Sequence, residues 1–482
     1  MFTEYMMRLK INNKVNTFMK NFSYSLSSNL ISMVISTLVL LIVPKLIGVE
    51  DYGYWQLYLF YTSYVGFLHF GWNDGIYLRY GGKEYNELNK KLFFSQFWMM
   101  GILQILMGIV IIALSYIFSS DSNRLYVLIM TSIYMLMVNI RYMLVYILLG
   151  TNRIKEYAQL TLIERILFCC LILLFLFGGV RQYKLLIVAD LIGKLVSLMY
   201  AMYCCRDIVF MKITNFYISL RETYENVCVG IKLMFANTAN MLIIGVFQFG
   251  IERTWSISTF GIVSLTLTIS NLIMTFINAV GIIMFPVLRR TNKERLPGIY
   301  TTMRNFLMVP LTGLLIVFYP LKFILSVWLP EYNDSFMYMS IIFPMFIFEG
   351  KIALLINTYL KTLRKEKLML AVNLGSVILS IILAIMFTTL LKNLTLITVS
   401  IVLALAFRSV LAEVFLSKIL NISVYKDIIL ELTMSLIFIL ISWFVNSLLG
   451  VIVYIVVYGL YLLIKKRDIR NTFDNVKQLV VG

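Results

Sequence analysis

The chain has 482 residues, 60% hydrophobic and 14% charged, with a formal net charge of +18. Soluble domains carry about 25% charged residues, so this composition excludes an ordinary soluble enzyme and calls for lipid as solvent. The basic surplus does not indicate nucleic acid, because it is divided among short segments between apolar stretches rather than gathered on one surface.

Fourteen apolar stretches follow one another, each near the roughly 20 residues that a hydrocarbon core of about 30 Å requires. They run near 23–43, 52–70, 92–118, 125–149, 160–177, 185–203, 227–250, 255–285, 304–328, 335–360, 367–391, 395–417, 428–446 and 449–464. They are continuous rather than alternating, which predicts helices and not a barrel. The fold class expected is an all-α polytopic membrane protein. Residues 1–22 are basic (Arg8, Lys10, Lys14, Lys20), and Ile11, Val15, Phe18 and Met19 share one helical face. Residues 11–20 are therefore expected along the inner membrane surface. The first span is too long for a signal-peptide core and lacks a small-residue cleavage site, so its retention is expected.

Charge sets the orientation. Counting Arg304, Lys322 and Lys367 with the gaps nearest them, 29 of the 42 Lys and Arg fall at the N-terminus and every second gap, 7 at the alternate gaps and 6 deeper inside spans. Basic residues are retained in the cytoplasm, which places both termini inside.

A faint parallel repeat at an offset of 208 residues pairs Asn29 with Asn237, Lys45 with Arg253, Tyr52-Gly53 with Phe260-Gly261 and Leu57 with Leu265. It relates span one to seven and two to eight about an axis along the membrane normal. The expected organisation is a six-helix lobe over 23–203, a cytoplasmic linker over 204–226 and a second six-helix lobe over 227–417. Two appended helices over 418–464 and a basic tail over 465–482 follow. Pro310 and Pro344 sit inside spans nine and ten, and Pro44 and Pro286 near the ends of spans one and eight. An in-helix proline frees a carbonyl and permits a kink, which serves either alternating access or a static bend. The five cysteines make no C-x-x-C pair and read as small core residues.

A charge at mid-bilayer costs about 2.5–3.5 kcal/mol on insertion scales and needs a partner or water. Asp190 and Lys194, four apart, can pair on one helix. Arg165 and Lys232 are near enough to span ends to snorkel. Glu164 is a further intramembrane acid. Arg141, Lys351 and Arg408 have no well-placed acid in their own spans. All three sit eight or nine residues from the cytoplasmic end, about 12–14 Å deep. Two readings follow: a water-filled electropositive cavity, or ion pairs with acids on other helices. A cationic cavity suits phosphate, through bidentate guanidinium and point-charge ammonium contacts. Trp55, Tyr58, Tyr61 and Trp72 either stack on sugars or belong to interfacial belts.

There is no G-x-x-x-x-G-K-[ST] motif, which argues against ATP hydrolysis by this chain. The single histidine, His69, supports neither a His-based metal site nor a triad; it reads as a packed residue or a proton-linked one. No cofactor is expected, and a proton or sodium gradient is the candidate driving force. Asp190, Glu349, Glu413 and Asp74 are the acids available for ion coupling.

The run VPKLIGVEDYGYWQLYLFY (43–61) resembles the first outer turn of bacterial oligosaccharide flippases, with its P-x-x-L-G-x-x-x-Y-G pattern. FGWNDGIYLRYGG (70–82) resembles that family's end of span two, and FPVLRR (285–290) its end of span eight. The chain is thus similar to the polysaccharide flippases of the multidrug/oligosaccharidyl-lipid/polysaccharide exporter superfamily. The resemblance implies two six-helix bundles around a central cavity that rock between inward-facing and outward-facing states in a bacterial inner membrane. It implies an undecaprenyl-pyrophosphate-linked oligosaccharide as cargo, for capsule, O-antigen or a similar surface glycan. The diphosphate would meet Arg141, Lys351, Arg408 and Lys232, with Arg79 at the cytoplasmic mouth. Membrane lipids are implied partners, and a glycan polymerase and chain-length regulator are candidates.

Two other readings stand beside this one. A cation-coupled multidrug antiporter of the same fold requires acids where this chain has mainly bases. A membrane glycan polymerase or glycosyltransferase requires a sizeable outer loop, and no outer gap is long enough.

Overall fold

The computed structural model describes residues 2–119, 121–289, 296–445 and 447–481, with side chains for 23–24, 27–119, 121–274, 296–445 and 449–472. The apolar face of residues 11–20 and the FPVLRR stretch with Pro286 lie outside the described side chains. The described residues are nearly all helical and include no strand. Within hydrocarbon a helix satisfies its own backbone hydrogen bonds. Twelve helices are long and apolar enough to cross a membrane, thirteen with the bent pair Pro330–Ile342 and Met345–Thr362. The chain is a multi-pass membrane protein. It divides into two compact units, Met1–Thr238 and Ala239–Gly482.

The first unit contains α1 (Phe2–Ile47), α2 (Val49–Ser63), α3 (Trp72–Tyr80), α4 (Lys90–Phe118), α5 (Ser122–Gly150), α6 (Ile154–Phe177), α7 (Tyr183–Cys204) and the single turn α8 (Arg206–Val209). It also holds the first part of α9 (Leu220–Thr254). Residues 2–22 and the first span form one continuous helix. Capping follows the sequence: Asn89 accepts from Leu92 N at 3.2 Å and Asp121 from Asn123 N at 2.9 Å, satisfying backbone donors that have no partner inside the helix. The central helix is α5, which packs on α2, α3, α4, α6 and α7. By contrast, α4 turns Ile102, Ile105, Leu106, Ile109 and Val110 outward. Their three- and four-residue spacing draws one lipid-facing stripe.

The expected span 52–70 is a broken helix. At 15 residues, α2 is about 22 Å long, too short to cross alone, and Tyr52, Tyr54, Gln56, Tyr58, Tyr61 and Thr62 dilute its apolar character. A 3₁₀ turn, Val65–His69, follows. The chain then turns through left-handed Phe70 (φ 53°) and Gly71 (φ 77°) into α3. This difference takes the expected fourteen to thirteen, and the bent tenth span accounts for the choice between thirteen and twelve. Gly71 also lies against α9: a Cβ there would come within 2.4 Å of Ile231 N. At Gly75 it would come within 1.9 Å of Asn226 O.

The second unit contains the rest of α9, then α10 (Ile257–Arg289), α11 (Leu296–Leu314), α12 (Phe318–Trp328), α13 (Asn333–Ile342), α14 (Met345–Gly350) and α15 (Asn357–Thr362). It continues with α16 (Glu366–Ile385), α17 (Leu394–Leu420), α18 (Tyr425–Phe444) and α19 (Ser447–Val481). The expected tenth span bends by 44° at the break before Met345. Pro344 stands at that break and cannot donate to the helical ladder. Past α14 the helix widens into a π turn, Lys351–Ile356, a feature that recurs at functional sites. The α17 helix packs on α13, α14, α16, α18 and the π turn, while α19 packs on α11, α12 and α18.

Candidate functional site

Each unit buries a network of charges. In the first, Arg141 of α5 donates through Nε to Ser197 Oγ of α7 at 2.8 Å. Its Nη2 lies 2.7 Å from Glu164 Oε2 of α6. The other oxygen of Glu164 receives Lys194 of α7. Ser197 donates onward to Leu160 O at 3.0 Å, so the hydroxyl is committed on both sides. Tyr58 donates to Asp190 Oδ2 at 2.8 Å, and Lys194 Nζ lies 5.4 Å from the Tyr134 ring centroid. The expected Asp190–Lys194 pair is therefore replaced. Lysine reaches across to α6, and the aspartate takes a hydroxyl from α2.

The second network is larger. Glu413 of α17 accepts from Tyr300 OH at 2.9 Å, Arg304 Nε at 2.6 Å and Lys351 Nζ at 2.7 Å. Lys351 also donates to Glu431 Oε2 of α18 at 2.7 Å, and Arg304 Nη2 stands against the other Glu431 oxygen. Arg304 Nη1 is 3.3 Å from Asp427. Asp427 pairs with Lys465 of α19, which donates to Asn305 Oδ1 at 3.0 Å and Asp468 Oδ2 at 3.1 Å. Lys351 and Glu413 are both 0% exposed. With every group ionised, three bases (Arg304, Lys351, Lys465) face four acids (Glu413, Asp427, Glu431, Asp468). The cluster has no excess positive charge. Nearby, Arg408 of α17 donates to Asn373 Oδ1 and Glu349 Oε1, both at 2.9 Å.

The two sequence readings of Arg141, Lys351 and Arg408 now separate in geometry. Each is held by a carboxylate from another helix, as expected where an unpaired buried charge is costly. Arg79 lies in the last turn of α3, where Glu222, Glu225 and Asn226 of α9 hold its guanidinium. Lys232 is exposed, with no ion pair among the described residues. Asp74 lies 3.7 Å from His69 Nε2, and His69 Nδ1 accepts from Gly71 N at 3.1 Å. Beside them Asn73 Nδ2 reaches Asn139 O at 2.9 Å and Asn139 Nδ2 reaches Gln104 Oε1 at 2.8 Å. These polar groups brace the break after α2. Trp55, Tyr58 and Trp72 are buried packing residues: Trp55 stacks on Tyr58 and Phe168, and Trp72 Nε1 donates to Gln96 at 2.7 Å.

Arg304, Asp427, Glu431 and Lys465 were not among the expected site residues. Arg304 stands at the expected start of span nine, but α11 begins at Leu296, two turns earlier. Asp427 and Glu431 are four apart, as are Tyr300 and Arg304, a spacing that puts each pair on one helix face.

Outside the spans, Asp207 pairs with Lys90 and accepts from Tyr85 OH at 2.6 Å. Burial pushes its carboxyl up, but the lysine and the phenol outweigh burial and hold it below the usual aspartate value. Burial pushes the Cys205 thiol up to about 12.

This arrangement, with broken spans in both units and charges buried between helices, is that of an all-helical polytopic membrane protein. Residues 18–292, more than half of the chain, match the family described as "Polysaccharide biosynthesis protein". The chain belongs to that family. Among solved structures it is similar to the lipid II flippase MurJ in an inward closed conformation, with TM-score 0.64 and 13% identity over 93% of this chain and 99% of that one. It is also similar to an inward-facing multidrug resistance MATE family transporter of the MOP superfamily, with TM-score 0.61 and 14% identity over 82% and 96% of the two chains. A MATE structure in the straight conformation gives TM-score 0.54 and 12% identity over 82% and 93%. These likenesses establish a MOP-type fold. No curated protein matches.

Proposed function

We propose that this protein is a flippase that carries an undecaprenyl-pyrophosphate-linked oligosaccharide from the cytoplasmic to the outer leaflet by alternating access, for a capsule, O-antigen or similar glycan. The observation that carries this reading is membership of the polysaccharide biosynthesis family on a fold shared with a lipid II flippase over nearly the whole chain. The proposed setting is a bacterial cytoplasmic membrane with both termini inside, supported by the 29 basic residues at the N-terminus and every second gap.

In this reading the diphosphate competes for bases. Arg141 commits Nε to Ser197 and Nη2 to Glu164, so a phosphate oxygen can displace Glu164, whose other oxygen keeps Lys194. Lys232 is open to a phosphate, and Arg79 becomes available if its α9 glutamates let go. Lys351 and Arg408 are proposed to act only when released from Glu413 and Glu349. A proton or sodium ion arriving at Glu413, Glu349, Asp190 or Asp74 would loosen such a pair, which is how a gradient would enter the cycle. Membrane lipids surround the tail, and a polymerase with its chain-length regulator would take the product.

The test is reconstitution into vesicles containing a fluorescent lipid-diphosphate oligosaccharide. Protein-dependent loss of inner-leaflet label, slowed by Arg141→Gln, is the expected result. An unchanged leaflet distribution, with export of cationic drugs by the same vesicles, would instead favour the antiporter.

A further inference from the structure

The connection from α7 to α9 has two unlike faces. Its inner face is fastened to the first unit. Ile208 and Val209 are buried in the core beside Phe93 and Leu148. Tyr217 N donates to Ser95 Oγ at 3.1 Å, and Gln96 Nε2 donates to Ser219 Oγ at 2.6 Å. The one acid of this stretch, Asp207, turns inward to Lys90 and Tyr85, while in the first turns of α9 Glu222 holds Arg79 and Tyr80 and Glu225 is shared between Arg79 and the exposed Arg221.

The outer face carries large apolar side chains in the open: Phe210 at 66%, Ile213 at 85%, Ile218 at 69% and Leu220 at 68% exposure. Arg206 and Lys212 are exposed among them, and the Arg206 guanidinium lies 5.5 Å from the ring centroid of Tyr203, itself exposed. The stretch begins where one crossing helix ends at Cys204 and finishes where the next starts at Leu220, so it stands at the membrane boundary. In water this face would leave four large apolar groups uncovered within some ten residues. At the boundary of headgroups and acyl chains they are covered, and bases on the same face meet phosphate. The acid tied inward and the bases left outward give this face a positive sign.

We propose that residues 206–220 form an interfacial strap, seating Phe210, Ile213, Ile218 and Leu220 in the bilayer interface and presenting Arg206 and Lys212 to anionic phospholipid headgroups. The strap fixes the end of the first unit against the leaflet, beside the Arg79–Glu222 contact that ties α3 to α9. It does not depend on the identity of the transported cargo, so its test is independent of the flippase reading.

The test uses full-length protein in nanodiscs of phosphatidylcholine alone or phosphatidylcholine mixed with phosphatidylglycerol. Ile213→Cys and, as a loop control, Asn86→Cys are labelled with a charged maleimide, and each site is read by peptide mass spectrometry. The native cysteines then need no replacement. Position 213 is expected to label at least about tenfold more slowly than position 86 in the mixed nanodiscs. In the Arg206→Gln/Lys212→Gln background that protection should weaken in mixed nanodiscs and stay unchanged in phosphatidylcholine. For detergent-solubilised protein, the same two substitutions should lower apparent affinity for added phosphatidylglycerol by roughly 25-fold, about fivefold per base. Equal labelling at 213 and 86 in nanodiscs would overturn the proposal. So would protection that is lost when each nanodisc holds a single copy of the protein, which would mark a second copy as the cover. A phosphatidylglycerol affinity unmoved by the double substitution would overturn the anionic-lipid assignment.

Discussion

Glu413→Gln tests whether the network of the second unit holds that unit together. The carboxylate is fully buried and receives Tyr300, Arg304 and Lys351 at 2.6–2.9 Å. Glutamine keeps the shape but removes the charge, and its amide group must face a donor. Arg304 and Lys351 are then left with Glu431, and with Asp427 at 3.3 Å from Arg304. Removing one partner from a buried ion pair costs about 3–5 kcal/mol. At about 2–4 °C per kcal/mol for a unit of this size, the thermal midpoint in detergent should fall by roughly 6–20 °C. Adding Lys351→Met removes one stranded ammonium, so the double variant should recover at least about 1 kcal/mol relative to the sum of the singles. The readout is thermal unfolding followed by fluorescence-detected size exclusion. A Glu413→Gln midpoint within about 2 °C of the parent, or strict additivity in the double variant, would refute the reasoning.

Other outcomes follow from the same geometry. Lys351→Glu would place a third carboxylate against Glu413 and Glu431, so folded protein should fall to near background in membranes; normal abundance would contradict the buried pairing. Arg141→Gln should cost only about 1–3 kcal/mol, because Lys194 still holds Glu164, and should slow transport more than it lowers abundance. Gly75→Ala would drive a methyl group to 1.9 Å from Asn226 O, so α9 must shift and the midpoint should drop by about 1–3 kcal/mol equivalent; an unchanged midpoint would show this contact to be slack. Asp207 has a lowered folded pKa, so its pairing stabilises fully above its unfolded value of about 3.9. That contribution is lost as pH falls through the folded value. The midpoint difference between the parent and Asp207→Asn should therefore be constant at neutral pH and close only in acid.

The helical layout was legible because apolar length and charge segregation are one-dimensional signals. Most expected span limits fall within a few residues of the observed helices. Two departures have physical causes. Helices run past their apolar stretches, as α11 does by beginning at Leu296, so Arg304, the first residue of the expected span, lies two turns inside the helix and is buried. The second span is cut short because its α-helix ends at Ser63 and a 3₁₀ turn, Val65–His69, leads into left-handed Phe70 and Gly71; residues 64–70 stay largely apolar, so hydropathy does not mark where the helix ends. The charged positions themselves were visible, since Arg141, Lys351 and Arg408 are conspicuous in apolar surroundings. Their partners were not. Glu164, Glu413, Glu431 and Glu349 come from other helices, and one-helix spacing cannot reveal which helices touch. For Lys194 that spacing pointed to Asp190, whereas the closer acid in space is Glu164.

The central claim is tested most directly by depleting this protein in its host and analysing lipid-linked oligosaccharides leaflet by leaflet. The flippase account predicts complete, unpolymerised repeat units accumulating on the cytoplasmic leaflet, relieved by the parent gene and poorly relieved by Arg141→Gln. Repeat units reaching the outer leaflet at the normal rate during depletion would contradict it.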